Sequence, residues 1–470
     1  MIGKQNPRRY LSRREMLKCS VAVGLTGGLG LVGCQKRPRE EWPSIFLITV
    51  DTLRADHLSC HGYSRNTSPN IDKFAQDALL FENCLSHAPA TGCSVTSMLS
   101  GFLPHETRIL EHTTIPREVD MLPEILRRLG YKTAAVVSNY VLRRRTRGFE
   151  QGFMVYDDAM NERELVRRWP ERTAGPTTDR AIELIERFRN NHLFMWIHYQ
   201  DPHGPYTPPG SFAQQFQNPD REPRNLRVND SLTGRGGIPS YQQLESNTDF
   251  HYYVSQYDGE IRYQDEQFGR LIDAMKEFGF YDNALIIFSS DHGEELGEHD
   301  YYFCHGENLY HSLLHVPLVV KYGNELTGRR TDFVQHIDIL PTVLEILGVE
   351  AHLPFRGSDL RQPSEMNRAI FAEMNSLLYE DGRKFSIVVD GHKLIYTPVP
   401  ERLQLFGLTK DPDETRDLAE DVNYEERKNV LKTRLDRIRN EDLLGLRTAG
   451  KPLALTDEEK RKLKSLGYAR

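Results

Sequence analysis

The chain has 470 residues, of which 39% are hydrophobic, 27% charged and 10% aromatic, a globular composition that excludes a disordered chain, a collagen-like fibre and a polytopic membrane protein. The formal net charge is −7; residues 1–33 carry six Lys/Arg against one acid, a net of +5 that leaves −12 for the rest. An acidic body argues against nucleic acid as a partner, and six cysteines in this length do not make a disulfide scaffold.

The first 34 residues read as an address. Arg13-Arg14 precede an uncharged run from Cys19 to Gly33 that is too short and too rich in glycine to span a membrane. The Arg pair resembles a twin-arginine export signal, and Leu31-Val32-Gly33-Cys34 resembles a lipobox with Cys34 as the lipidated residue. The expectation is a protein exported to the cell envelope, facing the periplasm and held to the membrane by a lipid on Cys34. Residues 35–43 read as a polar tether.

Ile45–Val50 is a continuous apolar run that ends in Asp51, the pattern of a strand buried on both faces of a parallel sheet. Thr133–Val137, Leu193–Ile197, Ala284–Phe288 and Val316–Val320 behave alike. Helical stretches lie at 69–80, 119–129, 177–190, 257–278 and 338–347. The alternation predicts an α/β fold with a large, mostly parallel central sheet flanked by helices. Ligands of such sheets bind beyond the carboxyl ends of the strands, where polar and ionisable residues gather here. The Pro-, Asn- and Gly-rich stretch 205–250 reads as a surface excursion over that edge. After about residue 350 the pattern changes. Ala369–Ala372, Phe385–Val389 and Lys393–Tyr396 read as short antiparallel strands, with Asp390-Gly391 as a hairpin turn. Tyr424–Arg439 reads as a charged amphipathic helix. The expected organisation is a catalytic domain over 44–350 and a smaller α+β subdomain over 351–470.

Asp51, Asp291 and His292 each follow an apolar strand, so adjacent strands could bring them together. Two carboxylates and an imidazole suit one divalent ion such as Zn²⁺ or Mn²⁺, while Ca²⁺ prefers more oxygens. A lone Asp after a strand equally serves as a helix cap. The segment Ala88–Gly101 reads as a loop entering a helix. A hydroxyl at that helix start, Thr91, would face free backbone N–H groups, a seat for a tetrahedral anion. A neighbouring metal would make Thr91 a nucleophile; otherwise it only caps the helix.

Several segments resemble the sulfatase family of the alkaline phosphatase superfamily. Ile48–Asp56 resembles the family's opening metal strand, Ser68–Ala75 its following helix, and Phe288–Glu294 its second metal strand. Asp201–Tyr206 resembles its substrate-histidine loop, and His336–Leu344 and Leu405–Leu418 resemble later landmarks. The match runs from about residue 45 to 420. It implies an ester hydrolase with a covalent intermediate, one divalent metal (Zn, Mn or Ca) on Asp51, Thr91, Asp291 and His292, and Thr91 as nucleophile. His203 and His305 would contact the anion or protonate the leaving group.

The departures from that family are informative. Its Cys-x-Pro-Ser-Arg motif, matured to formylglycine, aligns with Thr91, Cys93 and Val95, so no formylglycine is expected. Its second metal aspartate falls on Thr52. Its Lys-x-His substrate pair falls near Ser138–Val141, where Asn139 is the polar residue left to bind substrate. A Thr nucleophile resembles another branch of the superfamily, the phosphoethanolamine transferases and lipoteichoic acid synthases. Three functions follow: hydrolysis of sulfate esters on a small molecule or glycan, phosphodiesterase or phosphoethanolamine-type transfer through Thr91, or metal binding without turnover. His198 and His299 are candidates for supporting the metal ligands. Arg143–Arg147, the strongest basic run of the mature chain, reads as a solvated helix face or as a patch that steers a polyanionic glycan. Cys60, Cys84, Cys93 and Cys304 read as buried free thiols.

Overall fold

A computed structural model describes residues 41–109, 113–144, 147–166, 168–230, 233–351, 354–375, 382–446 and 451. The export signal, Cys34 and most of the tether lie outside them. The described residues belong to one compact unit.

The apolar runs become the strands of a central sheet. In chain order these are β1 (Ile45–Val50), β2 (Leu79–Leu85), β3 (Lys132–Val137), β4 (Val155–Asp157), β5 (Leu193–Tyr199), β6 (Leu285–Ser290), β7 (His315–Tyr322) and β8 (Gly328–Gln335). Their order across the sheet is β8-β2-β7-β6-β1-β5-β3-β4. β1 lies in its middle and pairs in parallel with β6 and β5. Only β7 runs against its neighbours, β6 and β2. The apolar run at 316–320 therefore forms a strand as expected but in the opposite direction. Hydrophobicity reports burial, not direction.

Helices cover both faces: α1 (Pro69–Gln76), α2 (Thr91–Ser100), α3 (Ala174–Arg187), α4 (Phe250–Glu277) and α5 (Ile339–Leu347). Successive residues of β1 point to opposite faces. Ile45 and Leu47 join Val95, Met98 and Leu99 of α2 and Ile339 and Val343 of α5. Phe46, Ile48 and Val50 join Ile71 and Phe74 of α1, Leu184 of α3 and Phe268 and Leu271 of α4. The helix expected over 69–80 ends at Gln76, and Leu79 and Leu80 begin β2 instead. Their apolar run extends a strand that the helical pattern had absorbed. The basic run also departs from expectation. Tyr140–Leu142 is one 3₁₀ turn, Arg143 lies over the Tyr140 ring, and Arg147 is only 2% exposed. The described residues of the run, Arg143, Arg144 and Arg147, lie outside any helix.

A second sheet follows, antiparallel and four-stranded: β9 (Ile370–Asn375), β10 (Arg383–Val389), β11 (His392–Pro398) and β12 (Glu401–Gly407). Three of these strands match the sequence reading; β12 is an addition. One face of the sheet packs Ile370, Val388 and Phe406 on Leu85, Leu309 and Leu314 of the main body. The other packs Ile387, Leu394 and Leu405 on Leu431 and Leu435 of α6 (Glu425–Asn440). Among the described residues no helix is long and apolar enough to cross a membrane.

One ion pair ties the second sheet to the segment after α2. Glu373 Oε1 accepts from the backbone N–H of His105 at 2.7 Å and from its Nδ1 at 2.8 Å. Burial pulls the His105 imidazole down, but the hydrogen bond and charge of Glu373 outweigh it and raise the pKa above the ordinary 6.5. A raised folded pKa gives stability that is present below the unfolded pKa and is lost as pH rises through the folded one. We expect the melting temperature of Glu373→Gln to fall further below the parent's at about pH 5.5 than at about pH 8.5. An equal gap at both would remove the pair as a pH-dependent tie.

Candidate metal centre

Strand register builds the centre. Val50 of β1 lies opposite Ser290 of β6, so the next residues, Asp51 and Asp291, leave the sheet side by side. The ladder runs one step further: Asp51 N–H donates to the Tyr199 carbonyl at 3.0 Å and Asp291 N–H to that of Val50 at 3.3 Å. Both carboxylates are buried.

Each carboxylate has one oxygen engaged and one left over. Asp51 Oδ2 receives the Asn139 amide and lies 3.3 Å from His198 Nε2. Asp291 Oδ1 accepts from the N–H groups of Thr52 and His292, at 3.2 and 2.8 Å. Asp51 Oδ1 and Asp291 Oδ2 are buried without a hydrogen-bond partner. His292 Nε2 stands 3.9 Å from the first and 3.5 Å from the second. Its Nδ1 lies 2.9 Å from the Gly293 carbonyl, which can only accept, so the proton belongs on Nδ1. Nε2 is then a bare lone pair facing two orphaned carboxylate oxygens. Thr91 Oγ1 completes the group at 3.3 Å from the same Nε2. Asp51, Asp291 and His292 each offer a ligand atom within 4.8 Å of the others.

Such a cluster costs free energy unless a cation joins it. Burial and the Asp51 charge push Asp291 upward. Burial would raise Asp51 too, but the His198 hydrogen bond and the neighbouring His203 and His292 carry it below the usual carboxylate range. Two carboxylate oxygens, an imidazole nitrogen and a hydroxyl fit one divalent ion of the Zn²⁺ or Mn²⁺ type; Ca²⁺ would draw on further oxygens. Thr52, next in chain, adopts φ +55°, a rare conformation for a β-branched residue, and its Oγ1 is buried without a partner. Tyr257 Oη donates to its carbonyl at 2.7 Å and holds the turn.

Thr91 is the first residue of α2. One turn along, Ser94 Oγ donates to the Asp291 carbonyl at 2.6 Å, and Ser86 Oγ does so at 2.7 Å. These bonds pin the start of α2 to the end of β6 and set Thr91 against His292. His305 and His203 are only partly buried, unlike the cluster beneath, and mark its open side. The His305 ring lies 4.7 Å from that of His292 and 5.1 Å from that of His203. His305 Nδ1 is 2.9 Å from Glu294 Oε1, and Tyr206 Oη donates to Glu294 Oε2 at 2.9 Å. Burial works against a charged His305, but buried Glu294 outweighs it and raises the pKa. The excursion 205–250 packs Tyr241 and Gln242 on the Phe303 carbonyl, two residues before His305.

The structure thus brings together Asp51, Thr91, Asp291 and His292, with His203 and His305 above them. Asn139, expected at the substrate, donates to Asp51 and accepts from the Val141 N–H at 2.7 Å. His198 supports Asp51 as expected, whereas His299 stacks on Tyr310 at 3.6 Å. Sequence reasoning missed Glu294, Tyr206, Ser86 and Ser94. Glu294 could have been found from its place just after Asp291-His292-Gly293; the others carry no signal of their own. Cys60, Cys84, Cys93 and Cys304 are free thiols, as expected, but only Cys84 and Cys304 are buried; Cys60 and Cys93 are half-buried.

Residues 43–349 match the family model described as Sulfatase, and residues 297–441 match the model described as N-sulphoglucosamine sulphohydrolase, C-terminal. The chain is 23% identical to an N-acetylglucosamine-6-O-sulfatase of Bacteroides thetaiotaomicron over 86% of its length and 88% of the relative's. A solved structure in complex with its substrate D-glucosamine-2-N,6-O-disulfate superposes with a TM-score of 0.70 at 20% identity, over 86% of this chain and 99% of that one. The phosphonate monoester hydrolase of Agrobacterium radiobacter superposes with a TM-score of 0.68 at 20% identity, over 84% and 95%. The first model spans more than half of the chain, which therefore belongs to the sulfatase family.

Protein purified without chelator is expected to carry one divalent ion, and Asp291→Asn to lose it, by elemental analysis. The substitution also removes one of two adjoining buried charges. Metal-free Asp291→Asn should therefore melt no lower than the metal-free parent, while the metal-loaded parent melts above both. Full metal content in the variant would break the assignment.

Proposed function

We propose that this member of the sulfatase family hydrolyses sulfate esters of a small molecule or glycan through a covalent ester on Thr91. The observation that carries the reading is the Thr91 hydroxyl, buried at a helix start and 3.3 Å from His292 Nε2 in the Asp51–Asp291 cluster. The sugar-sulfate substrates named for relatives support a glycan.

The chain's residues divide the work. Asp51, Asp291, His292 and Thr91 would hold the metal, which when bound would keep the Thr91 oxygen deprotonated and offset the charge of the transferred group. The first turn of α2 would offer backbone N–H groups to the ester's oxygens. Thr91 Oγ, its proton lost to solvent, bonds to sulfur as the bond from sulfur to the ester oxygen breaks. That oxygen leaves with the proton of His305, which Glu294 keeps charged and aimed through Nδ1. His203 faces the same space and contacts the anion. Water then gives a proton back to His305 and attacks the sulfur. Sulfate departs and the Thr91 oxygen is restored.

A second reading has its own support. A plain threonyl ester must be cleaved by attack at the central atom, which is easier at phosphorus than at sulfur. Thr91, where the family's formylglycine would stand, therefore favours phosphate esters or a phosphoethanolamine-type acceptor, and a phosphonate monoester hydrolase shares the fold. Loss of turnover with the metal retained is the third reading; the assembled Asp51, Thr91, Asp291, His292 and His305 set stands against it. Export as a lipoprotein through Cys34 rests on residues 1–34, and a mature mass beginning at a lipidated Cys34 would support it.

The deciding experiment compares kcat/KM of the metal-loaded protein on 4-nitrophenyl sulfate, phosphate and a phosphodiester. Sulfate preference supports the first reading and phosphate preference the second. Thr91→Ala should lose roughly a thousandfold in kcat on the preferred ester, and unchanged turnover would exclude Thr91 as nucleophile.

The leaving-group role of His305 predicts a split. His305→Gln should slow an unactivated alkyl ester far more than the 4-nitrophenyl ester, whose phenolate departs without a proton. Equal losses on both would move the acid elsewhere.

A further inference from the structure

An anion arriving at this centre meets Asp51 and Asp291, and α2 brings no positive side chain to meet it. Its first turns read Thr91-Gly92-Cys93-Ser94-Val95. Nearby Asn139 and His198 are turned to Asp51. A buried positive charge comes from Arg147, the last member of the run that the sequence marked as basic.

Arg147 is 2% exposed and one of the largest fully buried side chains of the protein. Its guanidinium lies against Gly92, the residue after Thr91. A Cβ at Gly92 would meet Arg147 Nη1 at 2.7 Å, Cζ at 3.0 Å and Nε at 3.3 Å. Three guanidinium atoms thus cover the space that a side chain at position 92 would fill. Glycine is needed there for this approach. The Arg147 carbonyl accepts from Ile115 N–H at 2.7 Å, and the residue makes at least one further interaction, so it is held in place. The guanidinium stands beside the first turn of α2, so an anion seated beside Thr91 would be attracted by the guanidinium and by the helix dipole together.

We propose that Arg147 is a positioning residue for the transferred oxyanion: through Gly92 it places a fixed positive charge at the start of α2, beside the Thr91 nucleophile. The inference rests on the ester-transfer reading above. It assigns the last member of the Arg143–Arg147 run to the site rather than to glycan steering at the surface.

The test uses the metal-loaded full chain and its variants Arg147→Met, Arg147→Lys and Gly92→Ala. The readouts are metal content, calorimetric affinity for inorganic phosphate and sulfate, and kcat and KM on the preferred 4-nitrophenyl ester. Arg147→Met should keep its metal, bind either oxyanion at least about tenfold more weakly and lose about a hundredfold in kcat. Arg147→Lys should recover part of the oxyanion affinity, which a purely structural role would not explain. If Arg147→Met does not fold, Gly92→Ala carries the test, since it keeps the charge but displaces it; oxyanion affinity should fall while metal stays. Unchanged oxyanion affinity and kcat in whichever of the two folds would overturn the proposal. Thr91→Ala run in parallel separates the two failures. A Thr91→Ala variant as active as the parent defeats the ester-transfer reading itself. An inactive Thr91→Ala beside an unaffected Arg147→Met defeats only the role of Arg147.

Discussion

The centre depends on one forced neighbourhood: two carboxylates set side by side in a buried space by the register of β1 and β6. Asp51 and Asp291 follow paired residues, so no movement of a side chain can separate them far. Each has an oxygen without a partner, and both face the bare nitrogen of His292. Water cannot relieve this repulsion at full burial. The surrounding structure relieves half of it, through His198 and Asn139 on Asp51 and through backbone N–H groups on Asp291. A divalent ion is the simplest group that relieves the rest. Function and folding are therefore coupled at one point, and the strained turn at Thr52 lies there too.

Everything else in the site is arranged relative to that pair. Ser94 and Ser86 take their bearings from the Asp291 carbonyl and thereby fix α2, which fixes Thr91. Glu294, three residues beyond Asp291, fixes His305. Tyr206 then ties Glu294 to the loop that carries His203. The charges are graded from bottom to top. Carboxylates sit deepest, the Thr91 hydroxyl lies beside them, and a histidine with a raised pKa stands at the half-open side. In the proposed reaction, a leaving group pointing outward would meet the proton, and a transferred group pointing inward would meet the cation.

Much of this was legible in the sequence because Asp51 and Asp291 each follow an apolar strand. Ile45–Val50 and the run before Asp291 are buried on both faces, and such strands leave only their last residue for chemistry. Strand direction was not legible, since β7 and β6 have the same apolar character and opposite sense. β8 left no pattern at all: Gly328-Arg329-Arg330-Thr331-Asp332 is a charged, largely exposed edge strand that pairs through its backbone. Ser94 and Tyr206 were invisible for a related reason. A serine in a helix and a tyrosine after a proline have many ordinary uses, and only the fold shows which acceptor each one meets.

Arg147 shows how far charge and sequence position can diverge. A run of basic residues is most cheaply satisfied by water, so its usual place is a solvated surface. Here Arg143 lies on Tyr140, Arg144 donates its backbone N–H to Asp158, and Arg147 goes inside. The glycine that makes room for it sits next to Thr91, more than fifty residues earlier in the chain. A helix that opens Thr-Gly rather than Thr followed by a bulky residue gains access to a cation from another segment, at the cost of helix propensity at position 92. With Val95 apolar, α2 itself supplies no charge for a transferred group. In the proposed role of Arg147 that charge is delivered from the side, which leaves the helix free to pack Val95, Met98 and Leu99 into the core beneath the sheet.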